Sequence, residues 1–226
     1  MTEEAGTGMK VIVFGATGMV GQGVLRECLL DDRVARVLVV GRTATGRSHP
    51  KLTEIVRDDL HDLSPVAADL AGYDACFFCL GVSAAGMTEA AYTRITYDLT
   101  MAAAGVLAEV SPGTRFAYIS GSGTDSTGHG RMMWARVKGR TENALLAMPL
   151  DAYMFRPGFI QPRHGITSKT GWYRTLYKIT GPLHPLLARI PGLATTTDQL
   201  GRAMIHVGLS GAPKRILTNR DINTLS

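Results

Sequence analysis

The stretch "VFGATGMVGQG" sets Gly15, Gly18 and Gly21 three residues apart, directly after an apolar run and directly before a helical pattern. In a strand–turn–helix context that spacing suits one task. Gly15 permits a tight turn, Gly18 lets the backbone approach a pyrophosphate, and Gly21 lets the helix pack closely on the sheet. Exposed amides and the positive end of the helix dipole then hold the phosphates. Thr17, Met19 and Val20 belong to the same loop and share this assignment as cofactor-binding residues. A second pattern, Trp134-Ala-Arg-Val-Lys138, lies in "GRMMWARVKGRTENALL". Residues four apart on a helix share a face, so Trp134 and Lys138 point the same way. Lysine brings a charge and three donors, whereas an indole N–H donates a hydrogen bond but does not deliver a proton at physiological pH.

About 20 residues beyond the glycine loop, a site for NAD places an acid that binds the ribose 2′-hydroxyl. This chain reads "VVGRTATGR" there, with Arg42 directly after the second apolar run and Arg47 close by. A guanidinium pairs bidentately with phosphate, so Arg42 favours a 2′-phosphate and NADP(H) over NAD(H). Arg47 reads as a solvated loop residue. "VRDDLHD" follows the third run. Asp59 and Leu60 are placed there to embrace the adenine, with Asp58 open to capping a turn instead. "CLGVS" puts Leu80 and Gly81 where backbone passes close to a cofactor.

The elements that must position these residues alternate between short β-branched runs and longer helical patterns, the α/β signature. Strands are expected at Lys10–Gly15, Arg36–Gly41, Arg115–Ser120 and Asp151–Gly158, and within the segments Leu52–Leu60 and Tyr73–Gly81. Helices are expected at Met19–Asp32, Met87–Val110, Arg131–Met148 and Asp198–Ser210, with a final strand at Lys214–Asn219. Near-continuous apolar strands imply a parallel sheet covered on both faces. Right-handed crossovers then make it a doubly wound Rossmann fold. After Gly158 the chain mixes prolines, glycines and aromatics. The expectation is one domain over 9–226, a frayed leader at 1–8, and a small C-terminal cap at 162–195 over the substrate end. Trp172, Tyr173 and Tyr177 would line that pocket. The prolines speak against reading the basic residues Lys169, Arg174, Lys178 and Arg189 as part of a membrane-surface helix.

Composition narrows the partners. The net charge is +5, but the cations are scattered and no basic run forms, so nucleic acid is not the expected partner. No apolar segment reaches the ~20 residues of a membrane span. Three cysteines, Cys28, Cys76 and Cys79, without framework spacing fit a reducing cytoplasm. Cys76 and Cys79 form a nominal C-x-x-C, but on a strand they point to opposite faces about 10 Å apart, beyond disulfide reach. Six dispersed histidines offer no metal-ligand spacing, so no metal is expected.

With GATGMVG, DDL, FCLG, YISGSG, VKGRTENAL, FRPGFI and TTTDQLGRAM in view, the chain resembles the short-chain dehydrogenase/reductase superfamily. More narrowly it is similar to the atypical single-domain branch, epimerase-like and TIP-thirty-like, over nearly the whole chain. The resemblance implies a Ser–Tyr–Lys reactive set. Ser122 takes the serine position, with Ser120 as alternative, and orients a substrate carbonyl. Lys138 takes the lysine position and holds the ribose hydroxyls. Trp134 stands where the tyrosine would donate its proton. Pro157 and Gly158 would contact the carboxamide side of the nicotinamide, with Arg156 anchoring their turn. The implied activity is an NADP(H)-dependent oxidoreductase on a small carbonyl or enone substrate. Its proton comes from another group, by type Tyr97, Tyr118, His129, His164, Tyr173 or Tyr177, or the chemistry needs no such acid. A non-catalytic NADP(H)-binding regulatory or interaction protein is the alternative. A homodimer pairing the Met87–Val110 and Arg131–Met148 helices across a two-fold axis is also implied.

Overall fold

The computed structural model describes residues 8–166 and 194–226. Seven strands form one sheet: β1 (Met9–Phe14), β2 (Val34–Gly41), β3 (Leu52–Val56), β4 (Ala75–Phe78), β5 (Arg115–Ile119), β6 (Asp151–Arg156) and, last in the chain, β9 (Ile216–Thr218). Their order is β3-β2-β1-β4-β5-β6-β9 and every neighbouring pair is parallel. The chain winds outward from β1 in both directions, so a crevice opens above the carboxyl ends of β1 and β4, where strand order reverses. A separate parallel pair joins β7 (Phe159–Gln161) to β8 (Ala194–Thr196).

Helix α1 (Met19–Leu30) follows β1. The segment expected as one helix from Met87 starts at α2 (Glu89–Thr93), passes through a π-helical turn at Arg94–Asp98 and continues as α3 (Leu99–Val110). A π turn inserts one residue into the 3.6-residue register, so periodicity does not reveal it. Helix α4 (Met133–Leu146) carries Trp134 and Lys138. Helices α5 (Thr197–Ser210) and α6 (Asn219–Leu225) close the chain, and α6 had no expected counterpart. Strands β3 and β4 lie inside the expected segments Leu52–Leu60 and Tyr73–Gly81 and stop at Val56 and Phe78, where the "DDL" and "CLG" stretches leave the sheet as loops.

Both faces of the sheet are covered. Val11, Val13, Val37, Val39 and Phe77 pack with Val24, Leu25 and Cys28 of α1 and with Leu200, Met204 and Val207 of α5. Ile12, Phe14, Leu38, Val40, Cys76 and Phe78 pack with Leu107 of α3 and Leu145 of α4. Each such fully buried side chain contributes about 1.5–3 kcal/mol relative to exposure. Cys76 belongs to one face, Cys79 packs against the other, and all three cysteines are free. Helices α1 and α5 meet through glycine, since a Cβ on Gly23 would stand 2.6 Å from Thr197 Cβ. Among the described residues, no helix is long and apolar enough to cross a membrane.

Candidate functional site

At the end of β1 the chain turns at Gly15, whose φ of +77° is the left-handed conformation glycine tolerates. A Cβ there would stand 2.7 Å from Leu80 N, in the loop after β4. Gly18 N donates to Gly15 O at 3.0 Å and closes the turn. At Gly21 a Cβ would lie 2.0 Å from Gly15 O, so the first helical turn admits no side chain. Gly18 differs. Its backbone is extended (φ −79°, ψ 165°), and a Cβ would meet only Gly15 O at 3.3 Å. Packing within the protein thus requires glycine at 15 and 21, whereas at 18 a methyl would press on one carbonyl oxygen and otherwise meet open space. Helix α1 starts at Gly18 with no side-chain cap and no acid in its first turn. Its dipole end is therefore left to an anion from outside, and the loop fits a dinucleotide pyrophosphate. Thr17, Met19 and Val20 are half-buried along this rim, and Thr17 O accepts from Gln22 Nε2 at 3.1 Å. Across the crevice Leu80 is half-buried and Gly81 exposed, with nothing within 4 Å of a Cβ on Gly81.

The loop after β2 carries Arg42 and Arg47, both exposed. Among the described residues neither side chain has a hydrogen bond or ion pair. The loop itself is tied down, because Thr45 N and Oγ1 both donate to the Glu54 carboxylate of β3. Asp58 and Asp59 are exposed, and Asp59 Oδ1 accepts from His61 N at 2.8 Å. Leu60 is 4% exposed and belongs to the core. It supports the loop from below instead of presenting its side chain to the surface.

The other end of the crevice is assembled from β5, β6 and α4. Ser120 is buried, and its Oγ donates to Phe155 O at 3.0 Å. Ser122 is exposed, its N donating to Pro157 O at 2.8 Å and its hydroxyl without a partner among the described residues. Of the two serines, only Ser122 has an uncommitted hydroxyl. Lys138 Nζ donates to Ser120 O. Burial pulls the Lys138 pKa down from its ordinary 10.5 to about 8, against the opposing pull of the Glu142 carboxylate. Glu142 is fully buried one turn along α4 and is bound by Arg156, whose Nε donates to Oε1 at 3.0 Å and whose second terminal nitrogen reaches Oε2 and Ser126 Oγ. Arg156 thus anchors the Pro157–Gly158 turn to α4. Gly158 N donates to Asn219 Oδ1 at 2.9 Å, so that amide is already committed within the protein.

Trp134 is half-buried one turn before Lys138, its ring against Gly123, where a Cβ would stand 3.4 Å from Cη2. The loop from Gly121 to Gly130 is closed by Asp125, which accepts from Thr127 and from Gly130 N at 2.6 Å. The Thr127 hydroxyl bond, with those backbone amides, holds the Asp125 carboxyl down to about 2. The loop rests on Gly139, where a Cβ would lie 1.7 Å from Asp125 O.

The alternative proton donors scatter. Tyr118 is buried in the core, and burial pushes its hydroxyl far above the usual range, which removes it as an acid at neutral pH. Tyr97 lines an open hollow of about 480 Å³ with Thr93, Asp98, Arg140 and Asn143. Arg140 and Asn143 lie on the side of α4 away from Lys138, by the 3.6-residue period. His129 and His164 are exposed loop residues, His164 with φ 56°. Trp172, Tyr173 and Tyr177 lie outside the described residues, as do Lys169, Arg174, Lys178, Arg189, the leader at 1–7 and most of the expected cap. Among the described residues no cluster of His, Cys, Asp and Glu could hold a metal.

Glu142 and Asn219 went unread in the sequence. Lys138-x-x-x-Glu142 places the acid on the lysine's own helical face, which is a readable signal. Asn219 sits 61 residues from Gly158 and offers none.

A doubly wound sheet with a glycine cradle at its switch point defines a class, the dinucleotide-binding Rossmann proteins. Comparison makes this specific. The NAD(P)H-binding family profile matches residues 15–178, and the chain belongs to that family, within the atypical short-chain dehydrogenases/reductases. The protein called fmp52, mitochondrial, of Aspergillus fumigatus is 27% identical over 88% of this chain and 86% of its own. HTATIP2 of Rattus norvegicus is 25% identical over 66% of this chain and 62% of its own. Among solved structures, the Bordetella bronchiseptica enzyme WbmF in complex with NAD+ superposes with a TM-score of 0.68 at 15% identity, covering 97% of this chain and 77% of that one. Uronate dehydrogenase from Agrobacterium tumefaciens gives 0.64 at 14% identity, covering 93% and 76%. These two likenesses establish the fold.

Proposed function

We propose that the protein is an NADP(H)-dependent oxidoreductase acting on a small carbonyl or enone substrate without a catalytic tyrosine. The observation that carries this is Lys138. Its ammonium is drawn into the crevice beside Ser120 O, and the nearby Glu142 carboxylate is engaged by Arg156. A desolvated cation held by a backbone carbonyl is suited to the two hydroxyls of a nicotinamide ribose. Ser122, with its uncommitted hydroxyl, orients the substrate carbonyl. Gly15, Thr17, Gly18, Met19, Val20 and Gly21 hold the pyrophosphate, Leu80 and Gly81 flank it, and Asp59 with Leu60 frames the adenine. Arg42 meets the 2′-phosphate, and Pro157 and Gly158 form the wall at the carboxamide. When bound, NADPH supplies hydride. The chain's own task is to position, exclude water and stabilise the oxygen that gains charge. Residues 162–195 serve as the substrate-side cap of the single domain 9–226. A cytoplasmic location and a homodimer through α3 and α4 belong to the same reading, although the fmp52 relatives are named mitochondrial.

The second reading, an NADP(H)-binding regulatory protein, is favoured by Trp134, since the indole at that position donates no proton. One experiment separates the two. NADPH oxidation is followed over a panel of carbonyls and enones with wild type, Trp134→Tyr and Lys138→Ala. Turnover by wild type that is lost in Lys138→Ala supports the oxidoreductase. Turnover only in Trp134→Tyr supports the regulatory protein.

A further inference from the structure

Arg57 is the first residue after β3, as Arg42 is the first after β2. The two strands are parallel, with Gly41 opposite Val56, and Arg57 N donates to Gly41 O at 2.9 Å, closing the last rung of the ladder. The register therefore delivers the two arginines side by side at the carboxyl edge of the sheet, where the loops for the adenosine half of a dinucleotide emerge. Arg57 is only half-buried as a residue, but its Nε is sealed from solvent and has no hydrogen-bond partner among the described residues. A guanidinium donor shut away from water and left unmade is costly. Such an atom in a folded protein calls for an explanation.

The neighbouring acids do not supply one. Asp62 senses the Arg57 charge, yet its Oδ1 is taken by Ser64 N and Oγ, at 3.0 and 2.6 Å. Asp59 Oδ1 is taken by His61 N, and Asp58 is exposed. None of the three forms an ion pair with Arg57 or with Arg42 among the described residues. Two arginines thus leave neighbouring strand ends with no carboxylate paired to either among the described residues. We infer that Arg57 is the second arm, with Arg42, of a two-arginine clamp that takes a ribose 2′-phosphate. Two forks around one dianion supply charge-assisted, bidentate contacts that one exposed arginine alone does not. The inference rests on the NADP(H) reading above and adds a specificity residue to it.

The test is direct binding by calorimetric titration, with no turnover required. The probes are NADPH, NADH, 2′,5′-ADP and 5′-AMP, the last two isolating the adenosine end. Arg57→Met keeps the apolar stem and removes the fork, and Arg57→Lys keeps the charge. The expected result is wild-type preference for 2′,5′-ADP over 5′-AMP and for NADPH over NADH. Arg57→Met should weaken the two 2′-phosphorylated probes, NADPH and 2′,5′-ADP, about tenfold or more and leave NADH and 5′-AMP within about twofold. Arg57→Lys should fall between, and higher salt should narrow all these differences. If Arg57→Met, or Arg57→Lys should the methionine variant fail to fold, keeps the wild-type preference while Arg42→Met loses it, the clamp is wrong and the NADP(H) reading stands on Arg42 alone. If wild type binds NADPH and NADH equally, the NADP(H) reading itself fails and takes the clamp with it.

Discussion

The two ends of the crevice are built on different principles. At the glycine-loop end the surface is backbone, and glycine is demanded by contacts within one short segment, as at Gly21, where a Cβ would stand 2.0 Å from Gly15 O. At the opposite end the surface is side chains, and each is held by a partner brought from another element. Lys138 leans on Ser120 O of the β5 loop, Arg156 of β6 on Glu142 of α4, and Gly158 on Asn219 of α6. A backbone site tolerates almost no change in its own residues. A side-chain site can exchange a member, provided the scaffold around it persists.

The sharpest way to break this contrast is at the glycines. Gly21→Val should abolish dinucleotide binding and lower the melting temperature, because the obstacle is a backbone carbonyl that cannot step aside. Gly18→Ala should fold with stability changed by less than about 1 kcal/mol but bind dinucleotide at least about tenfold more weakly. Equal effects of the two on folding would show that Gly18 is also a packing residue. Next in size is Glu142→Leu. It leaves the Arg156 guanidinium without its buried partner and should cost about 3–5 kcal/mol in denaturant unfolding.

Lys138 gives a subtler, pH-dependent signature with two opposite signs. Its folded pKa of about 8 lies below the ordinary 10.5. Between those values the unfolded chain binds a proton that the folded one does not, so this group makes stability rise with pH across that window and contributes no slope below it. Cofactor binding that uses the ammonium should instead decline as pH climbs through about 8. Lys138→Met should flatten both profiles, and a binding curve unchanged in that variant would remove Lys138 from the ribose. The smallest effects separate the serines. Ser120→Ala should cost about 0.5–1.5 kcal/mol of stability through the lost bond to Phe155 O. Ser122→Ala should leave stability unchanged and lower turnover on any substrate the panel identifies.

The same contrast explains what could be read from the chain. The sheet, its parallel sense and the glycine cradle were legible because apolar runs and glycine spacing are local properties. The strand ends at Val56 and Phe78 were not, since apolar or acidic loop residues continue the pattern after the ladder has stopped. The π turn at Arg94–Asp98 was hidden because the residues on either side keep helical composition. At the side-chain end, Ser122 and Lys138 were legible as types at a spacing. That Ser120 is the serine spent on structure, and that Glu142 and Asn219 secure the Pro157–Gly158 turn, depends on contacts across 35, 14 and 61 residues. No spacing rule covers such distances.

The small β7–β8 pair bears on how such a protein could diversify. Phe159, Ile160 and Gln161 lie in register with Ala194, Thr195 and Thr196, so the two ends of the intervening segment are stapled together independently of its content. Closure entropy grows only slowly with loop length, by about 0.6 kcal/mol per doubling. The staple therefore acts as a socket: segments of different length and chemistry can be exchanged between 161 and 194 while the sheet, the cradle and Lys138 stay in place. Grafting that segment between relatives would test whether it carries ligand preference while the sheet below it stays unchanged.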